Sequence, residues 1–333
     1  MNKRYLKVCL VCLLALCFAV TGFCAEKNKV GIAYGLGGAN DAYSLLGYQG
    51  ALQAKSDLVG NLDVVVSDPT VTGTVKGTLE DLLRQQCNIV VAMGVGYENV
   101  LRQVAPLHPE CQFILVDAVL TEPIENTASL IFSDQESAYL AGAAAALKSK
   151  SAQIGFIGAI ENPIIQKFQN GYIAGAKSVN PAILIHSNFI GNKPIAFKNA
   201  SLARDLAYQQ IDQGVDVIYT VAGFAGIGAI DAAAEKGIWA IGVDVDRAKD
   251  ANEKQRRHLL TSTLKRIDIG VCQMIKAACA NDISGQLIQL ALKNEGVDYA
   301  YNSYNKEQMA EIKDRLALIK QSIIKGEIIV SPN

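Results

Sequence analysis

Two aspartates, Asp117 and Asp244, each close a short apolar run: Gln112-Phe-Ile-Leu-Val-Asp117 and Trp239-Ala-Ile-Gly-Val-Asp244. In open parallel sheets, ligands gather beyond the carboxyl ends of the strands, so carboxylates there point to a binding site more than to a core. Asp246 follows the second tip, and Thr261-Ser-Thr-Leu-Lys265 comes shortly after. A carboxylate can accept two hydrogen bonds from a vicinal diol, while a lysine donates to a hydroxyl and offsets the carboxylate charge. Locally, the same residues would serve equally well as helix caps and salt bridges. Two such tips in two halves of the chain suggest one cleft between two lobes.

Other groups could meet a ligand near the tips. The stretches Gly35-Leu-Gly-Gly38 and Gly223-Phe-Ala-Gly-Ile-Gly228 each follow a strand-like run and open a helical one. Helix amides at such a place can cradle phosphate. No phosphate-binding lysine motif accompanies them, which favours tight turns that let a ligand approach the backbone. Tyr43 follows the first loop, Phe224 stands in the second, and Phe168 lies on the helix opened by Asn162-Pro163. Rings so placed can stack on a flat ligand, gaining about 0.5–1.5 kcal/mol beyond area burial, or belong to the core. Enzyme signatures are sparse: His108, His186 and His258 lack metal-ligand spacing, and neither a Gly-x-Ser-x-Gly elbow nor a Walker loop occurs. The profile points to binding, with no catalytic residue, metal or cofactor assigned.

The elements that must position these groups alternate strand and helix. Lys29–Tyr34, Leu62–Ser67, Asn88–Met93, Phe113–Val116 and Ser129–Phe132 read as strands, and the alternation predicts a parallel sheet with right-handed crossovers. The series restarts at Ile154-Gly-Phe-Ile-Gly-Ala159, close in texture to Val30-Gly-Ile-Ala-Tyr-Gly35. The echo continues: Leu82-Leu-Arg-Gln-Gln86 precedes one strand and Leu206-Ala-Tyr-Gln-Gln210 another, with 31 and 34 residues from the second Gln to the tip aspartate. Any two α/β units share some of this texture, but 333 residues suit two lobes in any case. Further on, Leu259–Leu264 reads as a strand, Lys265–Ala280 as a helix, and 306–325 as an amphipathic helix with Met309, Ile312, Leu316 and Ile319 on one face. Glu327–Val330 reads as a last strand.

Residues 1 to about 24 read as an export signal, with Lys3, Arg4 and Lys7 before the apolar Val8–Phe23. The mature chain is therefore expected outside the cytoplasm. Cys24 ends this leader where a lipoprotein would be cut and acylated, although Phe23 occupies the place of a small residue; lipidation stays open. In the body, Cys87 and Cys111 each precede a strand, so a disulfide between neighbouring strands is expected to be reachable. Cys272 and Cys279 lie about 10 Å apart along a helix, too far to bridge, and read as core thiols. With 31 basic and 32 acidic residues and no basic stripe, nucleic-acid binding is not expected. Lys254, Arg256, Arg257 and His258 read as a solvated turn.

Taken together and in order, Tyr48-Gln-Gly50, Phe113-Ile-Leu-Val-Asp117, Gln135-Glu-Ser-Ala-Tyr-Leu-Ala-Gly142, Ile154-Gly-Phe-Ile-Gly158, Pro163-x-x-x-x-Phe168-x-x-Gly171, Ala222-Gly223, Ala240-Ile-Gly-Val-Asp-Val-Asp246 and Leu260-Thr-Ser-Thr-Leu-Lys-Arg266 resemble the basic membrane protein family of extracytoplasmic substrate-binding proteins, and within it the purine nucleoside receptors of ABC transporters. The resemblance covers nearly the whole mature chain. It implies a two-lobe type I periplasmic-binding-protein fold, each lobe a parallel sheet flanked by helices, with the ligand between them. The first lobe would hold residues 26–134 and about 265–303, the second 135–264 and about 304–333. It also implies a monomer in the periplasm or cell envelope that hands a nucleoside to an ABC permease and touches the membrane only through a lipid. By position, Asp244 and Lys265 match residues that hold the ribose, Asp117 a polar contact in the first lobe, and Tyr43 an aromatic that stacks on the base.

One segment departs from the family pattern Asp-x-Ser-Phe-Asn. Here it reads Asn40-Asp-Ala-Tyr-Ser44, so Asn40 replaces an acid and Tyr43 a phenylalanine, while Asp41 would take over the acidic role if the loop shifts by one. Stacking survives this change and base preference stays open. Three rival functions also remain: a receptor for a sugar or other small polar solute, a secreted nucleoside hydrolase using the paired aspartates on an activated water, and a surface or signalling component whose ligand site is secondary.

Overall fold

The computed structural model describes residues 27–94 and 96–332; the export signal and Cys24 lie outside them. Strands β1 (Asn28–Ala33), β2 (Leu62–Ser67), β3 (Ile89–Met93), β4 (Gln112–Val116) and β5 (Thr127–Phe132) make one sheet. Strands β6 (Gln153–Ile160), β7 (Leu184–Gly191), β8 (Val217–Val221), β9 (Trp239–Gly242) and β10 (Leu259–Lys265) make a second. The short β11 (Leu287–Leu290) returns to the first sheet and β12 (Val297–Tyr299) to the second. Spatial orders are β11-β5-β4-β3-β1-β2 and β12-β10-β9-β8-β6-β7, so the two sheets share one topology. All pairings are parallel except β10 with β12.

The sequence dictates this arrangement through burial on both faces. Ile89-Val-Val-Ala-Met93 and Val217-Ile-Tyr-Thr-Val221 are buried at every position, as central parallel strands under helices on both sides must be. One apolar core runs through both halves, from Ile32 and Val91 in the first sheet to Phe156 and Tyr219 in the second. Separate clusters back the outer face of each sheet.

Against the second sheet, the helix Asp134–Lys148 crosses the helix Pro163–Val179 at very short range. Three glycines permit it. A methyl group on Gly142 would overlap the Tyr172 carbonyl, one on Gly175 the Tyr139 carbonyl, and one on Gly171 the Gln135 carbonyl. The Ala-rich face of the first helix, buried from Ser137 to Ala145, reflects the same closeness.

Several expectations change. The chain re-enters the second sheet at Val297, before the expected boundary near 304. The helix over 306–325 is two pieces, Lys306–Met309 and Lys313–Ile324, although Met309, Ile312 and Leu316 are buried as their spacing predicts. Glu327–Val330 is not a strand, because the amides of Glu327 and Ile328 turn back to the Ser322 carbonyl. The basic cluster before Leu259 is a short helix, Glu253–His258, opened by an Asn252/Gln255 capping box, with Arg256 donating to the Ala248 and Ala251 carbonyls at 2.9 and 2.8 Å. Cys87 and Cys111 are buried free thiols, not a disulfide. Register explains the difference: Ile89 pairs with Gln112, which sets Asn88 level with Cys111 and leaves Cys87 one residue back. Burial pushes both thiols up, Cys87 to about 11. Among the described residues no helix is long and apolar enough to cross a membrane.

The glycine crossing yields a test. Gly142→Ala gains helix propensity but must push two helices apart, and a net loss of about 1–3 kcal/mol is expected in denaturant unfolding. An unchanged or raised midpoint would show that the crossing tolerates a methyl group.

Candidate functional site

Strands β4 and β9 occupy the same place in their respective sheets, and each is followed by one of the tip aspartates. Both aspartates hold left-handed backbone, φ 60° at Asp117 and 66° at Asp244. Aspartate is among the few side chains that visit this region readily, and the turn it makes ends the strand at once. The amide of Asp117 donates to the Leu130 carbonyl at 2.8 Å, and that of Lys265 to the Asp244 carbonyl at 3.0 Å. The two tips are thereby tied to β5 and to the end of β10.

Lys265 is the last residue of β10 and is 3 % exposed. Its ammonium donates to Asp117 Oδ2 at 2.5 Å and Asp134 Oδ2 at 3.1 Å, both themselves buried. The rings of Phe132, Phe168 and Tyr43 surround it at 5.1, 5.7 and 5.8 Å, within cation–π range. Desolvation works against the charged lysine, but Asp117, Asp134 and Asp244 outweigh it and raise its pKa. One cation cannot satisfy three acids, two of them buried and Asp244 half-buried. Desolvation pushes Asp134 up to about 7, Lys265 pulling it back and Asp117 adding to the rise. Asp244 is also raised by desolvation, relieved in part by Lys265 and Arg247.

These groups form the floor of a cleft enclosing about 700 Å³ of empty space, solvent at its mouth included. One wall comes from the loop after β1. Ser44 Oγ accepts from the Gly35 amide at 3.1 Å and Asp68 from the Ala39 amide at 2.8 Å, which fixes Gly35–Gly37 against the opening. Asp41 then starts the helix Ala42–Asp57 and brings Tyr43 into the cleft. The facing wall has Phe168, on a helix capped by Asn162 accepting from the Ile165 amide at 2.9 Å, together with Phe197 and Gly223. Among the described residues no group of His, Cys, Asp and Glu is placed to hold a metal ion.

Of the residues expected from sequence, Asp41, Tyr43, Asp117, Phe168, Gly223, Asp244 and Lys265 line this one cleft. Asn40 does not; it is exposed at the end of the turn Gly38–Asn40, and Asp41 takes the inward position. Phe224 does not line it either. It is 47 % exposed, and Phe197, from the turn Pro194–Lys198, supplies the ring on that wall. Sequence reasoning missed Asp134, whose acid opens an otherwise small-residue helix and reads as an ordinary N-terminal charge. It also missed Arg247, which donates to the Val243 carbonyl at 3.2 Å and the Gly223 carbonyl at 3.5 Å and so braces the second wall. Asp246, beside the tip, turns away to accept from Asn302 at 2.7 Å.

A family model described as PnrA-like ABC transporter substrate-binding protein matches residues 39–333. The chain is 33% identical over 262 residues to ABC transporter nucleoside-binding protein BmpA of Lactococcus lactis subsp. cremoris (strain MG1363), covering 74% of this chain and 72% of that one. It is 29% identical over 334 residues to basic membrane protein B of Borreliella afzelii (strain PKo), covering 96% and 93%. An ABC transporter system solute-binding protein from Aeropyrum pernix K1 shares the fold with a TM-score of 0.77 at 24% identity, over 92% of this chain and 94% of that one. The same fold carries a transcriptional activator of the comK gene from Bacillus halodurans, with a TM-score of 0.70 at 20% identity, over 89% and 98%.

The crowded acids set a pH dependence. Asp134, ordinarily near 3.8 and here about 7, keeps a proton in the folded state that the unfolded chain has released. Its contribution to stability is full at low pH and is lost as pH rises from about 4 through 7, by at most about 1.4 kcal/mol per pH unit. Asp134→Asn should therefore gain on the wild type across that window in urea unfolding. A difference that stays constant from pH 4 to 8 would mean that Asp134 is ionised throughout.

Proposed function

The chain belongs to the family of PnrA-like ABC transporter substrate-binding proteins, and from that premise we propose that it captures a nucleoside, a purine nucleoside above all, between its two lobes and delivers it to an ABC permease. The observation that carries this reading is Asp244. Its carboxylate is half-buried at the cleft floor, lies within the field of Lys265 and makes no hydrogen bond with any described side chain. A vicinal diol supplies two donors to such a carboxylate and an oxygen to the lysine.

Tyr43, Phe168 and Phe197 give a flat base apolar surface above that floor. A polar ribose at the charged end and a planar ring among aromatics match the division of the cleft better than a ligand that is polar throughout. The nucleoside-binding name of the Lactococcus lactis relative adds support. The protein would work in the periplasm or cell envelope, and acylation at Cys24 would hold it to a membrane while leaving the lobes in water. Hydrolysis drops out as a rival, since the family consists of substrate-binding proteins and not enzymes.

Titration calorimetry of the mature protein with inosine, guanosine, adenosine, free bases and ribose tests this. Nucleosides should bind far more tightly than either half, and Asp244→Ala should cost roughly 1.5–3 kcal/mol, or about 10- to 150-fold in Kd. Absence of nucleoside binding sinks the proposal, and ribose binding as tightly as a nucleoside would replace it with a sugar receptor.

A further inference from the structure

Four carboxylates stand in or under the cleft, and Lys265 serves three: Asp117 and Asp134 by hydrogen bonds, Asp244 through space. Asp41 is the exception. It is only 7 % exposed, and its Oδ1 is fully buried without a partner. Aspartate at the start of a helix ordinarily accepts from the helix amides; here only the Tyr43 amide approaches the Asp41 carboxyl, and no regular capping bond to the helix Ala42–Asp57 is completed. It faces across the cleft instead, where its Oδ1 comes within 3.4 Å of the point at which Gly223 would carry a side chain. Phe197 lies 3.3 Å from the same point, so the open oxygen sits at the edge of an aromatic wall. Asp244, Arg247 and Lys198 are the charged groups that face it, with Tyr43 beside it.

A buried acceptor left open costs the free protein stability, which a ligand donor would restore. Among the described residues that line the cleft, no other combines a formal charge, burial and an unbonded oxygen on the wall side. The Tyr43 hydroxyl, by contrast, points to the floor, beside Gly94 and toward Asp117.

We propose that Asp41 is the specificity-determining residue of the cleft, accepting a hydrogen bond from a ring N–H at the edge of a planar base, so that 6-oxopurine nucleosides are preferred over adenosine. This rests on the nucleoside reading above. A 6-oxopurine carries a ring N–H next to a carbonyl, and that N–H satisfies the carboxylate. Guanosine adds an exocyclic amine and a second donor to a carboxylate with two oxygens. Adenosine presents a ring lone pair where the N–H would be, and a lone pair against a carboxylate is repulsive. Gly223 fits the role as well, since any side chain there would close the space beside the carboxylate.

The test is calorimetry with guanosine, inosine and adenosine on the wild type and on Asp41→Asn, with 1-methylguanosine added on the wild type. The expected order is guanosine, inosine, adenosine, with about 10-fold or more between the first and last, since a polar site left unpaired discriminates strongly. Asparagine can donate to the adenine lone pair while accepting from its amine, so Asp41→Asn should shrink that ratio about 10-fold. Methylation at the ring N–H should weaken guanosine about 10-fold or more on the wild type, an arm that needs no variant to fold. A wild-type preference for adenosine, a ratio unmoved by Asp41→Asn, or 1-methylguanosine binding as tightly as guanosine overturns the assignment of Asp41 while leaving nucleoside binding intact. Failure of every nucleoside to bind overturns both.

Discussion

A single buried ammonium holds the centre of this molecule. Lys265 ends the last parallel strand of the second sheet, yet its charge is spent on Asp117 from the first sheet and on Asp134 at the start of the first helix to cross between them. Removing a lysine and two carboxylates from water is costly, and such a cluster is a poor stabiliser compared with packed hydrocarbon. What it provides is position. Each partner comes from a different segment, so the bonds can form only when both sheets and the crossover are in place. The surplus of acid over base leaves the neighbourhood short of hydrogen-bond donors, and a ligand rich in donors answers that shortage.

The duplicated topology explains where the shortage is felt. The tip aspartates follow equivalent strands with nearly equal φ, so each sheet turns one carboxylate toward the gap. The chain then breaks the symmetry. Lys265 reaches over to Asp117 and leaves Asp244, its own neighbour, without a hydrogen bond. In the first lobe the corresponding strand end, at β5, is followed by Ser133 and Asp134, and an acid rather than a base enters the floor. Similar backbone halves thus present chemically unlike surfaces to one small cleft.

Much of this was legible in the chain. Central parallel strands announce themselves as apolar runs because both faces are buried, and a carboxylate at their ends stands out against that background. Asp117, Asp244 and Lys265 were visible for this reason, as were Tyr43 and Phe168 at the starts of helices. Edge strands were not. β7 reads Leu184-Ile-His-Ser-Asn-Phe-Ile-Gly191 with one buried residue, and β11 and β12 are four and three residues long, so neither period nor run length marks them. Phe224 and Phe197 show the limit for side chains: both stand in turns near a strand end, and only the packing of the turn Pro194–Lys198 against Gly223–Ala225 decides which ring faces inward. Asn40 and Asp41 differ by one step in a loop, which no periodicity resolves.

The cleft is also graded from floor to mouth. The floor is bound to the crossovers: Lys265 lies beside the point where the chain leaves the second sheet, Asp134 where it leaves the first, and the glycine-spaced crossing of Asp134–Lys148 with Pro163–Val179 holds that region close-packed. The mouth is made of loops from opposite lobes, with Asp41 on one side and Gly223 on the other. Displacement grows with distance from the crossings, so a change in the angle between the sheets would move the mouth groups most and the floor groups least. Contacts at the floor would therefore survive such a change, while the proposed hydrogen bond at Asp41, in a narrow space beside Gly223, would form only for a ligand of the right width and edge. A group that is satisfied only when the lips meet around the ligand is well placed to discriminate, because a wrong edge leaves its charge buried and unpaired at the moment of closest approach.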